Sequence, residues 1–242
     1  MTDTVLITGA SRGIGLATAK ILAEDGFNVV GVARNAPTDG FPGDFFAGDL
    51  GDEAGTDALM AEILAKHQID GVVNNVGVNV LEPLGEVGLE NFRRVIDINL
   101  RIPIQITQAV LQGMKERNYG RIVNISSRGA LGRENRTSYA AAKAGVVGMS
   151  RTWALELAPF GITVNVVSPG PTETEMFRKN NLEGEKAEEN RRKFLAGVAM
   201  NRFGQPEEVG YAIAVFLDRR ASFITGQLLH ACGGSCIGAA PL

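Results

Sequence analysis

Tyr139 and Lys143 have the types and the spacing that acid–base chemistry near neutral pH requires. They stand four residues apart in a stretch that we predict to be a helix, so their side chains should share one face. A free tyrosine has a pKa of about 10 and is a poor acid–base catalyst at neutral pH. Because a nearby ammonium group favours the phenolate, we expect Lys143 to lower the pKa of Tyr139. Taken alone, Tyr-x3-Lys is usually a surface pair, so its meaning depends on the rest of the chain.

A glycine-rich stretch near the N-terminus is typical of a dinucleotide site. Gly9, Gly13 and Gly15 lie between a predicted first strand and a predicted first helix. Glycines there permit a tight turn, close approach of the backbone to a pyrophosphate, and close packing of the helix on the strand. The phosphate then meets the amide groups and the positive dipole end of the helix. The position between strand and helix gives weight to a pattern that is weak by itself.

The end of the second predicted strand bears on the choice of cofactor. NAD sites usually place an acidic residue there to bond the ribose 2′-hydroxyl. Here the strand ends in Val32-Ala33-Arg34, without an acid. Arg34, together with Arg12 in the glycine-rich stretch, can hold a 2′-phosphate, although two solvated surface arginines are the alternative. We therefore favour NADP(H) and keep NAD(H) as the second choice.

Short β-branched runs alternate with helical patterns along the chain, as in a parallel sheet with crossover helices. We predict strands at residues 4–8, 28–33, 45–47, 71–75, 121–125, 163–167 and 223–230. We predict helices at residues 14–24, 89–100, 104–117, 138–157 and 206–217. The crossover at 34–42 contains two prolines and a glycine, so we expect a loop there. The predicted fold is a Rossmann-type doubly wound α/β sheet of about seven strands, flanked by helices on both faces.

The composition is that of an ordinary globular protein. The 242 residues are 45% hydrophobic and 21% charged, and we find no repeat or linker that would divide residues 1–242 into two domains. A net charge of −3 gives no electrostatic reason to expect nucleic acid. No secretory signal precedes the first strand, so we expect a cytoplasmic protein. Cys232 and Cys236 have too few ligands beside them for structural zinc, and we expect reduced thiols and no metal.

The last 22 residues, 221–242, contain no Asp, Glu, Lys or Arg. They are too polar and too rich in glycine to cross a membrane. We interpret them as a buried edge or a subunit contact.

Further motifs complete a pattern in chain order. Asn74-Asn75-x-Gly77 closes the fourth predicted strand, Asn99 and Ser127 precede Tyr139-x3-Lys143, and Pro169-Gly170 closes the sixth strand. With these motifs, and with residues 201–209, nearly the whole chain closely resembles the single-domain branch of the short-chain dehydrogenase/reductase family. The overall pattern is especially similar to that of 3-oxoacyl-[acyl-carrier-protein] reductases.

The resemblance implies four catalytic residues. Tyr139 would be the general acid in reduction, and Ser127 would orient and polarise the substrate carbonyl. Lys143 would bind the nicotinamide ribose and tune Tyr139, and Asn99 would hold a water in a proton relay. The interval from Ser127 to Tyr139 is one residue shorter than in many relatives, so the neighbouring Ser126 stays an alternative for the serine.

The cofactor contacts come from the same resemblance. Asp49 would contact the adenine, Thr172 would lie near the carboxamide, and Asn75 would contact either the ribose or the strand–helix framework. The motif at Asn75 departs from the family pattern by one residue, since Val76 replaces an alanine. The full expected set is Gly9, Ser11, Arg12, Gly13, Ile14, Gly15, Arg34, Asp49, Leu50, Asn75, Gly77, Tyr139, Lys143, Pro169, Gly170, Thr172 and Thr174.

Three functions stay open from the sequence. The first is NADP(H)-dependent reduction of a ketone, including a 3-oxoacyl thioester, to a secondary alcohol. The second is NAD(P)-dependent oxidation of a secondary or alicyclic alcohol. The third is a non-catalytic nucleotide sensor, which the retention of all four catalytic residues disfavours.

Two surfaces bear on substrate and assembly. The highly charged stretch near 173–200 is expected to be a mobile, solvated insertion that covers the substrate. Arg128, Arg133 and Arg136 could attract an anionic substrate, although a solvated loop or a subunit contact is the favoured interpretation. The resemblance also implies a homotetramer, with the helices at 104–117 and 138–157 in one interface.

Overall fold

Seven parallel strands form one sheet across residues 2–237, the part of the chain that the computed structural model describes. The strands are Thr4–Thr8 (β1), Asn28–Ala33 (β2), Asp44–Ala47 (β3), Gly71–Asn74 (β4), Gly120–Ile125 (β5), Ile162–Pro169 (β6) and Leu228–Ala231 (β7). Their order is β3-β2-β1-β4-β5-β6-β7. The order reverses between β1 and β4, and ligands of such sheets bind beyond the carboxyl ends of the strands at this point. The predicted fold class is confirmed.

Helices cover both faces of the sheet. They are Gly13–Glu24 (α1), Glu53–Lys66 (α2), Leu89–Ile96 (α3), Ile102–Glu116 (α4), Thr137–Leu157 (α5), Glu175–Asn181 (α6), Ala187–Ala196 (α7) and Pro206–Leu217 (α8). Successive strand residues point to opposite faces, so two cores form. Val5 and Ile7 of β1 pack with α1 and α8, whereas Leu6 between them packs with α2 and α4.

Helix α2 was absent from the sequence prediction. It begins after Asp52, whose side chain accepts a hydrogen bond from the backbone N–H of Gly55. Thr56, Met60 and Ile63 form its buried stripe. The spacing of these three residues is helical, so the sequence does contain a pattern that indicates α2.

The prediction of a last strand over 223–230 was wrong at its start. The strand β7 begins at Leu228, and Phe223 before it is fully exposed. Gly226 has a φ of +71°, which ends any extended run. The side chains of Thr225 and Asn165 instead tie this turn to β6.

The crossover between β2 and β3 is a loop, as predicted. Phe41 takes the place of a covering helix and packs against Gly31, where a Cβ would lie 2.5 Å from the ring atom Cζ. A larger residue at position 31 would displace this ring.

No helix within residues 2–237 is long and apolar enough to cross a membrane. The uncharged stretch at 221–242 is described only as far as Ile237, and its last five residues lie outside the described part of the chain.

Candidate active site

The loop between β1 and α1 requires glycine at three of its positions. Gly9 and Gly13 have φ angles of +66° and +55°, which favour glycine. A Cβ on Gly15 would lie 2.3 Å from the carbonyl oxygen of Gly9. No side chain caps the first turn of α1, so its amide groups are free to meet an anion. Ser11 is half-buried in the loop, and Ile14 packs into the core behind it. The loop therefore fits a dinucleotide pyrophosphate.

Asn75 holds this loop in place. Its side-chain amide donates hydrogen bonds to the carbonyl oxygens of Thr8 at 3.0 Å and Gly9 at 3.2 Å. The hydroxyl of Thr8 accepts the backbone N–H groups of Asn75 and Val76, each at 3.1 Å. Of the two roles expected for Asn75, this geometry supports the framework.

Asp49 and Leu50 follow β3 at the same edge of the sheet. The exposed carboxylate of Asp49 accepts a hydrogen bond from the N–H of Gly51 at 3.0 Å. Leu50 is buried, and its carbonyl oxygen accepts a hydrogen bond from Arg101 Nη2 at 3.0 Å. Asp49 is thus placed where a ligand can meet it, whereas Leu50 supports the turn.

The two arginines considered for a 2′-phosphate are exposed. Arg34 directly follows β2, and the N–H of Ala10 in the glycine loop bonds the carbonyl of Val32 at 3.2 Å. Arg12 is partnered: its Nη1 lies 2.9 Å and 2.8 Å from the two carboxylate oxygens of Glu175 in α6. Sequence reasoning missed Glu175, because the two residues are separated by 163 positions.

Ser127 and Tyr139 converge over Gly129. The hydroxyl oxygen of Ser127 accepts the N–H of Gly129 at 3.0 Å. A Cβ on Gly129 would lie 3.2 Å from Tyr139 Cε1 and 3.3 Å from Ser127 Oγ. Ser126 points elsewhere: it is buried and donates to the carbonyl oxygen of Lys143 at 2.8 Å. Ser127, and not Ser126, stands beside the tyrosine.

Burial controls the pKa of Tyr139. It raises the pKa, while a hydrogen bond with Ser127 and the charge of Arg136 act in the opposite direction and do not outweigh it. The net shift is thus opposite to the one expected from Lys143, because burial outweighs the groups that favour the phenolate. The phenol is thus protonated at neutral pH, as a proton donor must be, although the raised pKa makes it a weaker acid than a free tyrosine.

Lys143 lies under the site, 4% exposed. Its Nζ donates to the carbonyl oxygen of Ile125 at 2.8 Å and lies 5.9 Å from the centre of the Tyr139 ring. Burial lowers the pKa of Lys143 to about 8.

Asn99 sits in a π-helical turn, Asp97–Arg101, that joins α3 to α4. The predicted helix at 89–100 is thus interrupted, and such turns are frequent at functional sites. The Asn99 amide donates to the carbonyl oxygens of Val78 at 2.9 Å and Val95 at 2.8 Å. Its buried Oδ1 has no hydrogen-bond partner within residues 2–237. A Cβ on Gly77 would lie 2.8 Å from this Oδ1 and 3.3 Å from Lys143 Nζ, so the glycine leaves a gap between the two polar groups.

The loop after β6 lies against the glycine loop. Gly170 donates its N–H to the carbonyl of Ala231 at 2.9 Å, next to Pro169 at the end of β6. Thr172 is buried, and its hydroxyl donates to the carbonyl oxygen of Gly170 at 3.1 Å. Thr174 caps α6, and its Cγ2 would lie 3.3 Å from a Cβ on Gly13.

Residues 173–200 have an apolar inner side. Phe177 stacks edge-to-face with Phe194 and Phe203, with ring centres 4.9 Å and 5.2 Å away. Arg133 lies 3.7 Å from the centre of the Phe194 ring, and Arg136 donates to the side chain of Asn181 at 2.7 Å. Burial lowers the pKa of Arg133 to about 10. These two arginines thus join their loop to the charged segment of the same chain, and they are not free anion-binding groups.

The sheet, the glycine loop and the polar cluster define a Rossmann-type oxidoreductase that uses NAD(P). A sequence model of the family described as "Enoyl-(Acyl carrier protein) reductase" matches residues 9–235. The chain belongs to the short-chain dehydrogenase/reductase family, and it is an oxidoreductase acting on CH–OH and C=O groups.

Similar proteins carry several activities. The chain is 37% identical over 239 residues to the 3-oxoacyl-[acyl-carrier-protein] reductase of Vibrio cholerae, covering 95% of each protein. It matches the ligand-free aldohexose dehydrogenase of Thermoplasma acidophilum with a TM-score of 0.92 at 29% identity, over 100% of this chain and 96% of the other. It also matches a Beutenbergia cavernae protein assigned as an NAD(P)-dependent gluconate 5-dehydrogenase, solved with NADP. That match has a TM-score of 0.90 at 30% identity, over 98% of this chain and 97% of the other.

Proposed function

We propose that the protein reduces a ketone to a secondary alcohol with NADPH, and that a 3-oxoacyl thioester is its substrate class. The observation that carries the proposal is the convergence of Tyr139 and Ser127 over Gly129, with the ammonium of Lys143 5.9 Å from the centre of the Tyr139 ring. The similarity to 3-oxoacyl-[acyl-carrier-protein] reductases over 95% of the chain supports the thioester.

The nicotinamide, when bound beside the loop after β6, would be the source of the hydride for the carbonyl carbon. The hydroxyl of Ser127 donates a hydrogen bond to the substrate carbonyl oxygen and fixes its orientation. The hydroxyl of Tyr139 gives its proton to the same oxygen, so the C=O bond becomes CH–OH. The ammonium of Lys143 stabilises the phenolate that remains.

The open acceptor of Asn99, its Oδ1, takes part in returning a proton to Tyr139 after the reaction. Its Oδ1 and Lys143 Nζ face the same gap beside Gly77. Because an acceptor and a donor lie on two sides of that gap, a water there would have partners on both. We infer that protons reach Tyr139 from this side of the site.

NADPH is preferred to NADH in this proposal because the residue directly after β2 is Arg34 and not an acidic residue. Arg12 would be shared between the 2′-phosphate and Glu175, since the carboxylate already holds the guanidinium. The loop after β6, including Thr172 and Thr174, would line the nicotinamide.

Alcohol oxidation is the second candidate, supported by the solved dehydrogenases of similar structure. Oxidation needs Tyr139 to accept a proton and reduction needs it to give one, so the same residues can serve both directions. We propose reduction because the chain is similar to 3-oxoacyl-[acyl-carrier-protein] reductases over 95% of its length.

Residues 173–200 would cover the substrate within a single domain, since α6 contacts the glycine loop through Arg12. We also propose a homotetramer, with α4 and α5 in one interface. Leu155 of α5 is 81% exposed, which leaves apolar surface for a subunit contact. Light scattering would measure the assembly.

Cofactor titration followed by a substrate screen tests the proposal. NADPH and NADH binding would be followed by fluorescence, and loss of reduced cofactor would be followed with 3-oxoacyl thioesters and with cyclic ketones. Tighter binding of NADPH and turnover of thioesters are expected. Preference for NADH would contradict the assignment of Arg12 and Arg34, and turnover of cyclic ketones alone would overturn the thioester.

A further inference from the structure

The chain leaves β7 through a tight turn that carries both cysteines. Gly233 and Gly234 have φ angles of +59° and +85°, and the N–H of Ser235 bonds the carbonyl oxygen of Cys232 at 3.1 Å. The two glycines permit this reversal, which a side chain at either position would strain. After the turn a hydrogen bond joins the side chains of Cys232 and Cys236, and both cysteines are free and half-buried.

A histidine completes the cluster. The sulfur of Cys236 lies 3.2 Å from Nδ1 of His230, within hydrogen-bond distance for sulfur. No group of three or more His, Cys, Asp or Glu side chains in residues 2–237 is arranged to hold a metal ion.

The two thiols differ in acidity. Burial raises the pKa of Cys232, but hydrogen bonds from Cys236, Ser235 and the amide of Gly234 outweigh it and lower the pKa overall. Burial and the neighbouring Cys232 raise the pKa of Cys236 to about 11. Cys232 is thus the more acidic of the two thiols, and the more acidic thiol forms the nucleophilic thiolate more readily.

We propose that Cys232 and Cys236 form a reactive dithiol that a peroxide converts into an intramolecular disulfide. In the first step the Cys232 thiolate attacks one oxygen of hydrogen peroxide, the S–O bond forms as the O–O bond breaks, and the hydroxide that leaves takes up a proton to become water. In the second step the sulfur of Cys236 attacks the sulfur of the sulfenic acid, the S–S bond forms as the S–O bond breaks, and the hydroxide that leaves is protonated to a second water. His230 accepts the proton of Cys236. Two electrons pass from the two sulfurs to the peroxide, which is reduced to two waters.

The dithiol adjoins the walls of the candidate active site. A Cβ on Gly170 would lie 2.6 Å from Cys232 Cα, so the turn is pressed against the loop after β6. Arg128, next to Ser127, donates its Nε–H to the carbonyl oxygen of Ser235 at 3.2 Å. The proposal does not depend on the identity of the substrate or of the cofactor.

Peptide mapping of the full-length wild-type protein tests it first. The protein would be treated with one equivalent of hydrogen peroxide, alkylated, digested and analysed by mass spectrometry. We expect a peptide that is about 2 Da lighter, with both cysteines protected from alkylation and restored by reductant. Oxygen added to one cysteine while the other is alkylated would overturn the proposal, as would disulfide-linked dimers as the main product.

Single variants assign the order of attack. In Cys236→Ser we expect a sulfenic acid at Cys232 that dimedone traps. In Cys232→Ser we expect Cys236 to be oxidised at least about tenfold more slowly, since its thiolate is scarce. Equal rates for the two variants would contradict the assignment. Thermal unfolding checks that each variant is folded, and the wild-type mapping remains decisive if one is not.

Discussion

Two asparagines at the carboxyl edge of the sheet have opposite hydrogen-bond states. The side-chain amide of Asn75 is bonded to Thr8 and Gly9, and so fixes the glycine loop. Asn99 is equally well held through its amide, yet its Oδ1 is left open toward Lys143. Of these two asparagines, the one whose amide fixes the loop belongs to the framework of the site, whereas the one with an open acceptor is available for chemistry.

The two ends of the site also differ in what they cost the stability of the fold. The framework end is the glycine loop held by Asn75, and the catalytic end is the part that contains Asn99 and Lys143. A buried polar atom without a partner costs about 1–3 kcal/mol, and a buried charge costs more. The catalytic end carries a buried charge, in the ammonium of Lys143. Residues that lower the stability of the folded protein are characteristic of active sites.

The largest effect should follow from removing the charge of Lys143. We expect Lys143→Met to lower kcat/KM about 100-fold or more, since a group that assists proton transfer contributes about 10²–10⁴-fold. We expect the same variant to be more stable by about 1–2 kcal/mol at pH 7, because the buried charge is lost together with one hydrogen bond. The measurement is urea unfolding beside steady-state kinetics.

The sign of the Lys143 effect follows from its pKa. Burial lowers the folded-state pKa from 10.5 to about 8, so the cost of the buried charge is fully present below pH 8 and disappears as the pH rises toward 10.5. Lys20→Met, an exposed position on α1, is the matched control and should change neither quantity. A destabilised Lys143→Met protein would mean that the ammonium stabilises the fold.

The pH profile of the wild-type enzyme should show the next effect. We expect kcat/KM for reduction to be level below about pH 8 and to fall about tenfold per pH unit above it, as Lys143 loses its proton. The break should vanish in Lys143→Met. A rate that rises through this range would instead indicate that a deprotonated group is required.

Breaking the framework end should affect stability rather than chemistry. We expect Asn75→Ala to destabilise the fold by about 1–3 kcal/mol, because two buried carbonyl groups lose their donor. Asn35→Ala, in the exposed loop after β2, is the control. An unchanged unfolding curve with weakened cofactor binding would assign Asn75 to the ribose instead.

The smallest effect concerns the exposed pair of Arg12 and Glu175, whose side chains are 62% and 66% exposed. We expect Glu175→Gln to change stability by less than about 1 kcal/mol. NADPH should bind about two- to fivefold more tightly because Arg12 is released, and NADH should be unaffected. Glu183→Gln, in the same segment, serves as the control. An equal change for both cofactors would remove Glu175 from cofactor selection.

Much of the framework could be predicted from the sequence because its signals are local. The boundaries of β1 and β2 agree with the prediction to the residue, and the proline-containing crossover is a loop. The last strand was misplaced, since Phe223 has an apolar side chain that nonetheless lies at the surface. An apolar pattern alone does not distinguish a strand from an exposed turn.

The site was predictable in its residues but not in its electrostatics. Spacing places Tyr139 near Lys143, yet whether burial or charge controls the phenol pKa depends on the residues that enclose it. The contact of Arg12 with Glu175 joins distant parts of the chain and leaves no local pattern. The catalytic roles of Asn99, Ser127, Tyr139 and Lys143 stay predictions.

The Tyr139→Phe variant tests the central claim most directly, with turnover of a ketone that the wild-type protein reduces and the NADPH dissociation constant measured side by side. The account predicts that kcat falls about 10²–10⁴-fold while the dissociation constant stays within about twofold, because the phenol donates the proton and holds little of the cofactor. Turnover within about tenfold of the wild-type rate would contradict it, since such a loss is smaller than the removal of a proton donor causes.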